Sequence, residues 1–248
     1  MNYETYRLFA FAWTGIAILV FLLLLKVTAP YGRHSSRSWG PMISNRVGWI
    51  IMELPVFVLL MYFATRVSNN VSLVLIGLFL FHYFNRVFIF PFRIHTKGKQ
   101  MPLVIALSAI CFNLVNGSLL GYYFADFASY PAGYFTHWNF IIGLFLFIAG
   151  IFINWKSDNI LISLRKPGET GYSIPKGWLF EKISCPNLFG EITEWGGYAL
   201  MCYNLPALSF FVWTCANLIP RALSHHKWYK SHFHDYPSQR KAVFPYLL

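Results

Sequence analysis

The stretch VGWIIMELPVFVLLMYFAT, residues 47–65, decides the fold class. Glu53 is its only charged residue, and its length approaches the roughly 20 apolar residues that a helix needs to cross a bilayer. Runs of similar length and character lie at residues 8–27, 71–92, 102–124 and 136–155. The composition agrees, because a chain that is 56% hydrophobic and only 12% charged cannot cover a water-exposed surface. The sequence therefore predicts an all-α, polytopic integral membrane protein.

The stretch 187–219 is too long for a single span, and Pro206 near its middle favours a break because proline lacks a backbone donor. We therefore predict a sixth and a seventh span there. Lys and Arg accumulate in cytosolic loops. Here they concentrate after the first, third and fifth runs and beyond Pro220, whereas the loops after the second and fourth runs hold Arg66 alone. This alternation predicts seven transmembrane helices, with the N-terminus outside and the C-terminus in the cytosol.

The formal net charge of +11 comes mainly from these loops, where cations meet anionic headgroups or a phosphorylated ligand. We predict no nucleic-acid partner. The four cysteines have no C-x-x-C spacing, so we predict neither a disulfide framework nor a metal site: Cys111, Cys185, Cys202 and Cys215. The sequence also lacks G-x-G-x-x-G, G-x-x-x-x-G-K-[ST], H-E-x-x-H and G-x-S-x-G. A nucleotide would therefore bind without a Rossmann turn.

Two predicted spans carry polar residues that lipid does not favour. A charged Glu53 inside the second span is costly, so this residue is protonated, paired or faces a cavity. Tyr83 and Arg86 are three residues apart in the third span and share a helical face. Arg86 could bind an anion or pair with Glu53. The alternative is an interhelical clamp that only fixes the bundle.

A second set of polar residues lies where the fifth and sixth spans meet the cytosol. Asn154 and Asp158 are four residues apart at one helix end, and Glu191 and Glu194 are three apart at the start of the next. Acids entering an apolar span need partners. The simpler interpretations are a solvated helix end and stabilisation of the helix amino terminus by negative charge.

The last predicted helix continues into a polar stripe. Arg221, His225 and Tyr229 recur every four residues and therefore share one face. Such a stripe suits a phosphate, a ribose and a flat ring. An interfacial belt of aromatic and basic residues is the alternative.

Together these segments resemble the steroid 5α-reductase family. In the carboxyl half the resemblance is carried by NLFGE at 187–191, LRKPGE at 164–169 and the tail from 225 to 242. In the amino half it is carried by ELP at 53–55 and by HYF at 82–84. It covers most of the chain and is stronger in the carboxyl half.

The resemblance implies an NADPH-dependent reductase of the C4–C5 double bond of 3-oxo-Δ4 steroids. Glu53 and Tyr83 match the pair that holds the substrate ketone. Met52 departs from the pattern, since the family usually has Gln before this Glu. The positions that match the cofactor-binding residues are Arg86, Asn154, Asp158, Arg165, Tyr172, Asn187, Glu191, Arg221, His225 and Tyr229.

The implied organisation is one membrane reductase domain, residues 1–248, with residues 1–135 mainly on the substrate side and 136–248 mainly binding cofactor. Its partners would be a lipophilic substrate and membrane lipid, with no obligate protein partner. It would reside in the endoplasmic reticulum of a eukaryote or the inner membrane of a bacterium. The alternatives are a reductase of another lipid enone, an enoyl or polyprenol-type substrate, a membrane methyltransferase using S-adenosylmethionine, or a transporter.

Overall fold

The computed structural model describes residues 1–95, 98–164 and 171–248. It is built almost entirely of helices, as predicted. In chain order they are α1 Tyr3–Lys26, α2 Asn45–Ala64, α3 Asn70–Phe84, α4 Phe90–Arg93, α5 Leu103–Tyr122, α6 Trp138–Ser163, α7 Pro186–Cys202 and α8 Leu205–His232. Within the described ranges, two π-helical segments, Asn85–Ile89 and Tyr123–Phe127, follow α3 and α5, and four short 3-10 turns lie in the connections: Gly32–His34, Arg37–Trp39, Tyr134–Thr136 and Trp178–Glu181.

Five helical segments in the described part of the chain are long and apolar enough to span a membrane, and they coincide with the five predicted runs. They are Tyr3–Lys26, Asn45–Ala64, Asn70–Arg93, Leu103–Phe127 and Trp138–Ser163. Large apolar side chains on them remain exposed, including Leu19 at 66% and Phe145 at 70%. An outer surface of this kind is stable against lipid, which confirms a multi-pass membrane protein.

The predicted break in the stretch 187–219 is also present. Helix α7 ends at Cys202, and Asn204 caps α8 by accepting a hydrogen bond from the Ala207 backbone over 2.9 Å. Pro206 thus lies in the first turn of α8, where a missing N–H costs nothing. Because α7 and α8 are not among the five candidate spans, the seven-span topology and its orientation stay predictions.

A short antiparallel ladder is a feature that the all-α prediction missed. Strand β1, Met42–Ser44, pairs with β2, Gln100–Pro102, with Met42 opposite Pro102. Three-residue strands are too short to show an alternating pattern in the sequence. The ladder joins the chain just before α2 to the chain just before α5.

The chain divides into two compact units. The first contains Met1–Phe11, Ala29–Ile141 and Cys202–Ala207, and the second contains Ala12–Thr28, Ile142–Met201 and Leu208–Leu248. In the first unit α2 packs closely along α5. A Cβ at Gly117 would lie 3.1 Å from the Val56 side chain, and one at Gly121 would overlap the ring of Phe63. Small residues let two helix backbones approach in this way.

Paired glycines also join α6 to α7 in the second unit. A Cβ at Gly143 would lie 2.6 Å from the carbonyl oxygen of Gly197, and one at Gly150 would lie 2.6 Å from that of Gly190. The two glycines of each helix are seven residues apart, or about two turns, so they share one face. The helices therefore run antiparallel with their backbones in contact.

Candidate functional site

Glu53 and Tyr83 belong to one buried polar cluster in the first unit, and a third residue links them. Asn113 on α5 donates from Nδ2 to Glu53 Oε2 on α2 over 3.4 Å. The Tyr83 hydroxyl on α3 donates to Asn113 Oδ1 over 3.4 Å. The three residues are only 9%, 5% and 2% exposed for Glu53, Tyr83 and Asn113. Their shared contacts bring a carboxyl, an amide and a phenol together inside an apolar bundle.

The backbone of α2 anchors this cluster. Asn113 Nδ2 also donates to the Met52 carbonyl oxygen over 2.5 Å. Pro55 lies inside α2, one turn after Ile51, and lacks the N–H that would bond to the Ile51 carbonyl. A helix interrupted by proline in a membrane obtains compensating contacts from its neighbours. The amide of Asn113 bonds to the next carbonyl, that of Met52, in the turn that Pro55 interrupts and beside Glu53.

Aromatic rings surround the Tyr83 phenol. The Phe79 ring stacks on it with centroids 4.8 Å apart, and the His82 ring meets it edge-on at 5.2 Å. Stacked and edge-to-face rings favour a fixed orientation. Tyr83 therefore has its ring held by packing while its hydroxyl takes part in the polar cluster.

Arg86 lies in the π-helical segment that follows α3. Its guanidinium is 4.6 Å from the ring centroids of both Trp49 and Phe90. A cation over aromatic faces is held electrostatically, and π-helical turns occur often at functional sites. Arg86 is half-buried, so its charge remains close to the apolar interior.

The sequence analysis missed Asn113. The only signal available was an amide in an otherwise apolar span, and Asn116, three residues later, carries the same signal. Asn116 is 1% exposed and donates to the Phe112 carbonyl of its own helix over 2.8 Å. Composition alone therefore cannot distinguish the residue that joins three helices from its neighbour.

Four of the predicted cofactor-binding residues lie on α6 and α7 in the second unit. Asn154 on α6 donates from Nδ2 to the backbone carbonyl of Asn187, in the first turn of α7, over 3.0 Å. Asn154 and Asp158 are buried, at 4% and 8% exposed, whereas Asn187 and Glu191 are half-buried. The glycine contacts between these helices bring the two pairs alongside each other.

Helix α8 carries Arg221, His225 and Tyr229 on successive turns. Arg221 and Tyr229 are buried, at 6% and 2% exposed, and His225 is half-buried. The Tyr172 ring meets the Trp228 ring edge-on at 5.1 Å, which places it against the same helix. Arg165 lies outside the described residues.

The carboxyl-terminal tail is tied to the chain before α7. The Ser184 backbone donates to the Lys241 carbonyl over 2.8 Å, and the Cys185 backbone donates to the Ala242 carbonyl over 3.1 Å. Ala242 and Val243 are buried in an apolar cluster with Ile192. The end of the chain is therefore part of the core of the second unit.

The Ser184 hydroxyl is the centre of this attachment. It is 2.6 Å from His226 Nδ1, 2.6 Å from the Tyr236 hydroxyl and 3.0 Å from the Lys241 carbonyl, to which it donates. Burial lowers the pKa of the His226 imidazole, and Lys230 and Lys241 lower it further. Burial raises the pKa of the Tyr236 hydroxyl. Both groups are therefore held in their neutral forms near pH 7.

Arg240 forms a second attachment point and is 2% exposed. It donates from Nη1 to the Pro175 carbonyl over 2.9 Å, and its Nη2 lies 3.9 Å from Glu181 Oε2. Its guanidinium also lies 5.3 Å from the centroid of the Tyr236 ring. These contacts fasten the tail to the segment that precedes α7.

No group of three or more His, Cys, Asp or Glu side chains within the described ranges is arranged to hold a metal ion. All four cysteines are free thiols, with Cys185 and Cys202 buried.

Comparison with known proteins decides the family. The family model described as 3-oxo-5-alpha-steroid 4-dehydrogenase matches residues 99–248. The steroid 5-alpha-reductase DET2 of Gossypium hirsutum is 40% identical over 240 residues, covering 94% of this chain and 93% of its own length. The chain belongs to the steroid 5α-reductase family. The 3-oxo-5-alpha-steroid 4-dehydrogenase 1 of Mus musculus is 41% identical, and the match covers 94% of this chain and 93% of the mouse protein. The 3-oxo-5-alpha-steroid 4-dehydrogenase 1 of Homo sapiens is 38% identical, and the match covers 96% of this chain and 93% of the human protein.

The resemblance found in the sequence is thus confirmed. The family model includes every cofactor-binding candidate except Arg86 and does not reach Glu53 or Tyr83. Similarity to individual steroid 5α-reductases extends over nearly the whole chain and takes in those residues as well. The roles of the individual side chains stay predictions.

Proposed function

We propose that this protein is an NADPH-dependent reductase of the C4–C5 double bond of 3-oxo-Δ4 steroids. Relatives that share about 40% of its residues are named for steroid 5-alpha reduction. The observation that carries the proposal is the contact of the Glu53 carboxyl and the Tyr83 hydroxyl, from two helices, with one amide in an apolar interior. Such a pair of donors can stabilise a ketone oxygen that gains negative charge.

The reaction delivers a hydride to C5 and a proton to C4, and electron density moves to the C3 oxygen. NADPH supplies the hydride when it is bound. Tyr83 donates to the C3 oxygen through its hydroxyl, and Glu53 donates in its protonated form, since a charged carboxylate inside a span is costly. Donors that already point at the developing charge lower the barrier, and an acid paired with a tyrosine is a known form of such a site. The C4 proton comes from Tyr83 or from water.

Side chains of the second unit support the proposal of a dinucleotide site by their chemistry. The Arg221 guanidinium is buried and carries the charge that a phosphate needs. Asn154 and Asp158 offer amide and carboxyl groups for a ribose or a carboxamide. His225 and Tyr229 add rings on the same face of α8 as Arg221. The resemblance also implies cofactor binding by Arg165, Tyr172, Asn187 and Glu191 and, outside this unit, by Arg86.

The proposed topology gives the substrate access from the lipid and the cofactor access from the cytosol. We propose seven spans, with residues 1–135 mainly serving the substrate and residues 136–248 mainly the cofactor. The steroid then enters from lipid, and NADPH enters from the cytosol, where the basic loops attract its phosphates. The membrane would be the endoplasmic reticulum of a eukaryote or the inner membrane of a bacterium.

The test is product analysis with purified protein. The protein is incubated with NADPH and a panel of enones that includes testosterone, progesterone, an enoyl thioester and a polyprenol-type enone, and products are identified by mass spectrometry. We expect steroid products heavier by two hydrogen atoms, in amounts that match the NADPH consumed. Oxidation of NADPH without a saturated steroid product would contradict the proposal.

A further inference from the structure

The Asn113 amide sets the hydrogen-bond directions in the cluster of Glu53 and Tyr83. Its Nδ2 carries two hydrogens, one directed to the Met52 carbonyl at 2.5 Å and one to Glu53 Oε2 at 3.4 Å. Its Oδ1 accepts from the Tyr83 hydroxyl at 3.4 Å. The shortest of these contacts is to backbone, so α2 itself fixes which way the amide faces. Reversal would place Oδ1 against the Met52 carbonyl oxygen.

This orientation determines where the Glu53 proton resides. An amide nitrogen donates and does not accept, so the oxygen that faces it must accept. In a neutral carboxyl the carbonyl oxygen is the better acceptor, and the hydrogen therefore lies on Oε1. Oε1 is then the oxygen that can donate to a ketone. Reversing the Asn113 amide would take its donor away from the Met52 carbonyl inside the bundle, which favours retaining this arrangement.

The same amide offers Tyr83 an acceptor other than Glu53. If the Tyr83 hydroxyl donated to the Glu53 carboxyl, its hydrogen would no longer be available to the substrate. The same bond would favour the charged form of Glu53, which has no hydrogen to donate. At 3.4 Å the bond from Tyr83 to Oδ1 is long and weak. A ketone oxygen can therefore take over this hydrogen with little loss.

We propose that Asn113 is a positioning residue for the reduction, holding the proton of Glu53 on Oε1 and the Tyr83 hydroxyl ready for one carbonyl oxygen. This inference rests on the proposed function. The competing explanation is that Asn113 only joins helices, as buried polar residues do in membrane proteins. The pH dependence of kcat separates the two explanations, because a residue that only joins helices does not control the protonation of Glu53.

The experiment compares three variants with the wild type: Asn113→Leu, Asn113→Asp and the control Asn116→Leu. Asn116 is an equally buried amide of the same helix that bonds to its own Phe112 carbonyl. For each protein, kcat and KM for a 3-oxo-Δ4 steroid are measured between about pH 6 and 8.5, around neutral pH. NADPH affinity and thermal unfolding in detergent are measured in parallel.

We expect Asn113→Leu to lower kcat by about 10- to 100-fold, as loss of an orienting group commonly does, while NADPH affinity is unchanged. Asn113→Asp preserves the size of the side chain but places two carboxyls at one site, which then share one proton. Its kcat should fall as the pH rises across a range in which the wild-type kcat is constant. Asn116→Leu should keep the wild-type kcat and pH profile.

The inference is overturned if Asn113→Asp has the wild-type pH profile and kcat, or if Asn113→Leu and Asn116→Leu lose activity equally. Either result leaves the proposed function intact, because the wild type still reduces the steroid. A wild-type protein that reduces no enone overturns the proposed function itself. Asn113→Asp keeps the test decisive if Asn113→Leu does not fold.

Discussion

Gly150 of α6 and Gly190 of α7 meet backbone to backbone. A Cβ at Gly150 would lie 2.6 Å from the Gly190 carbonyl oxygen, and one at Gly190 would lie 2.8 Å from the Gly150 carbonyl oxygen. One turn along α6 from Gly150, the Asn154 side chain donates to the Asn187 carbonyl of α7. The close spacing of α6 and α7 therefore fixes the positions of the polar groups that we propose bind the cofactor.

Gly150→Ala is expected to push α6 and α7 apart. The added methyl meets the backbone of α7, which cannot rotate away, so we expect a loss of about 1–3 kcal/mol in the free energy of unfolding. The thermal unfolding temperature in detergent and the affinity for NADPH would both decrease. Gly77→Ala is the matched control, because a Cβ there meets nothing within 4 Å. An equal change in both variants would contradict the close approach.

Acidification is expected to loosen the tail through His226. Its folded pKa lies below the ordinary value of 6.5, so the unfolded chain binds more protons between these two values. The stability contributed by neutral His226 is therefore complete above about pH 6.5 and is lost as the pH falls through the folded pKa. Protection of the amides of residues 233–248 against hydrogen exchange, corrected for the intrinsic pH dependence of exchange, should decrease from about pH 7 to pH 5.

His226→Asn serves as the control for that measurement, since its amide still reaches Ser184 but does not titrate in this range. We expect the corrected protection of its tail to stay the same between about pH 7 and pH 5. If the wild type and the variant showed the same pH dependence, the assignment to His226 would be wrong.

Arg240→Met is expected to detach the tail from the segment before α7. The variant removes the bond to the Pro175 carbonyl and leaves that buried acceptor unpaired, at a cost of about 1–3 kcal/mol. The contact with exposed Glu181 contributes little, because water screens it. Limited proteolysis should then cleave the tail sooner than in Lys241→Ala, the neighbouring variant with an exposed side chain. Equal cleavage rates would contradict the anchoring role.

The features that the sequence predicted are those that depend on local composition. Five spans follow from hydropathy, and Glu53 is conspicuous because a single acid among apolar residues has few explanations. Pro206 predicted the division of α7 from α8 because a proline has a local effect on the backbone. In each case the decisive information lies within about 20 residues.

The features that it missed depend on which distant residues meet. Asn113 is distinguished from Asn116 only by the helices opposite it. The attachment of Ser184 to Lys241 joins residues 57 positions apart. The ladder from Met42 to Pro102 has too few residues to show a period. Pairing of this kind is a tertiary property, which a single sequence does not display.

The most direct test of the central claim is the turnover of Glu53→Gln and Tyr83→Phe beside the wild type, with NADPH and a 3-oxo-Δ4 steroid. Each variant removes one acidic O–H donor to the C3 oxygen while changing few other atoms, because Phe has no hydroxyl and the amide N–H of Gln is far too weak an acid to stabilise the developing negative charge as well as a carboxyl O–H does. We expect kcat to fall by about 10²–10³ in each, as loss of one such donor commonly causes, with NADPH affinity largely retained. Near-normal reduction by both variants would contradict the assignment of Glu53 and Tyr83 as the groups that stabilise the carbonyl oxygen.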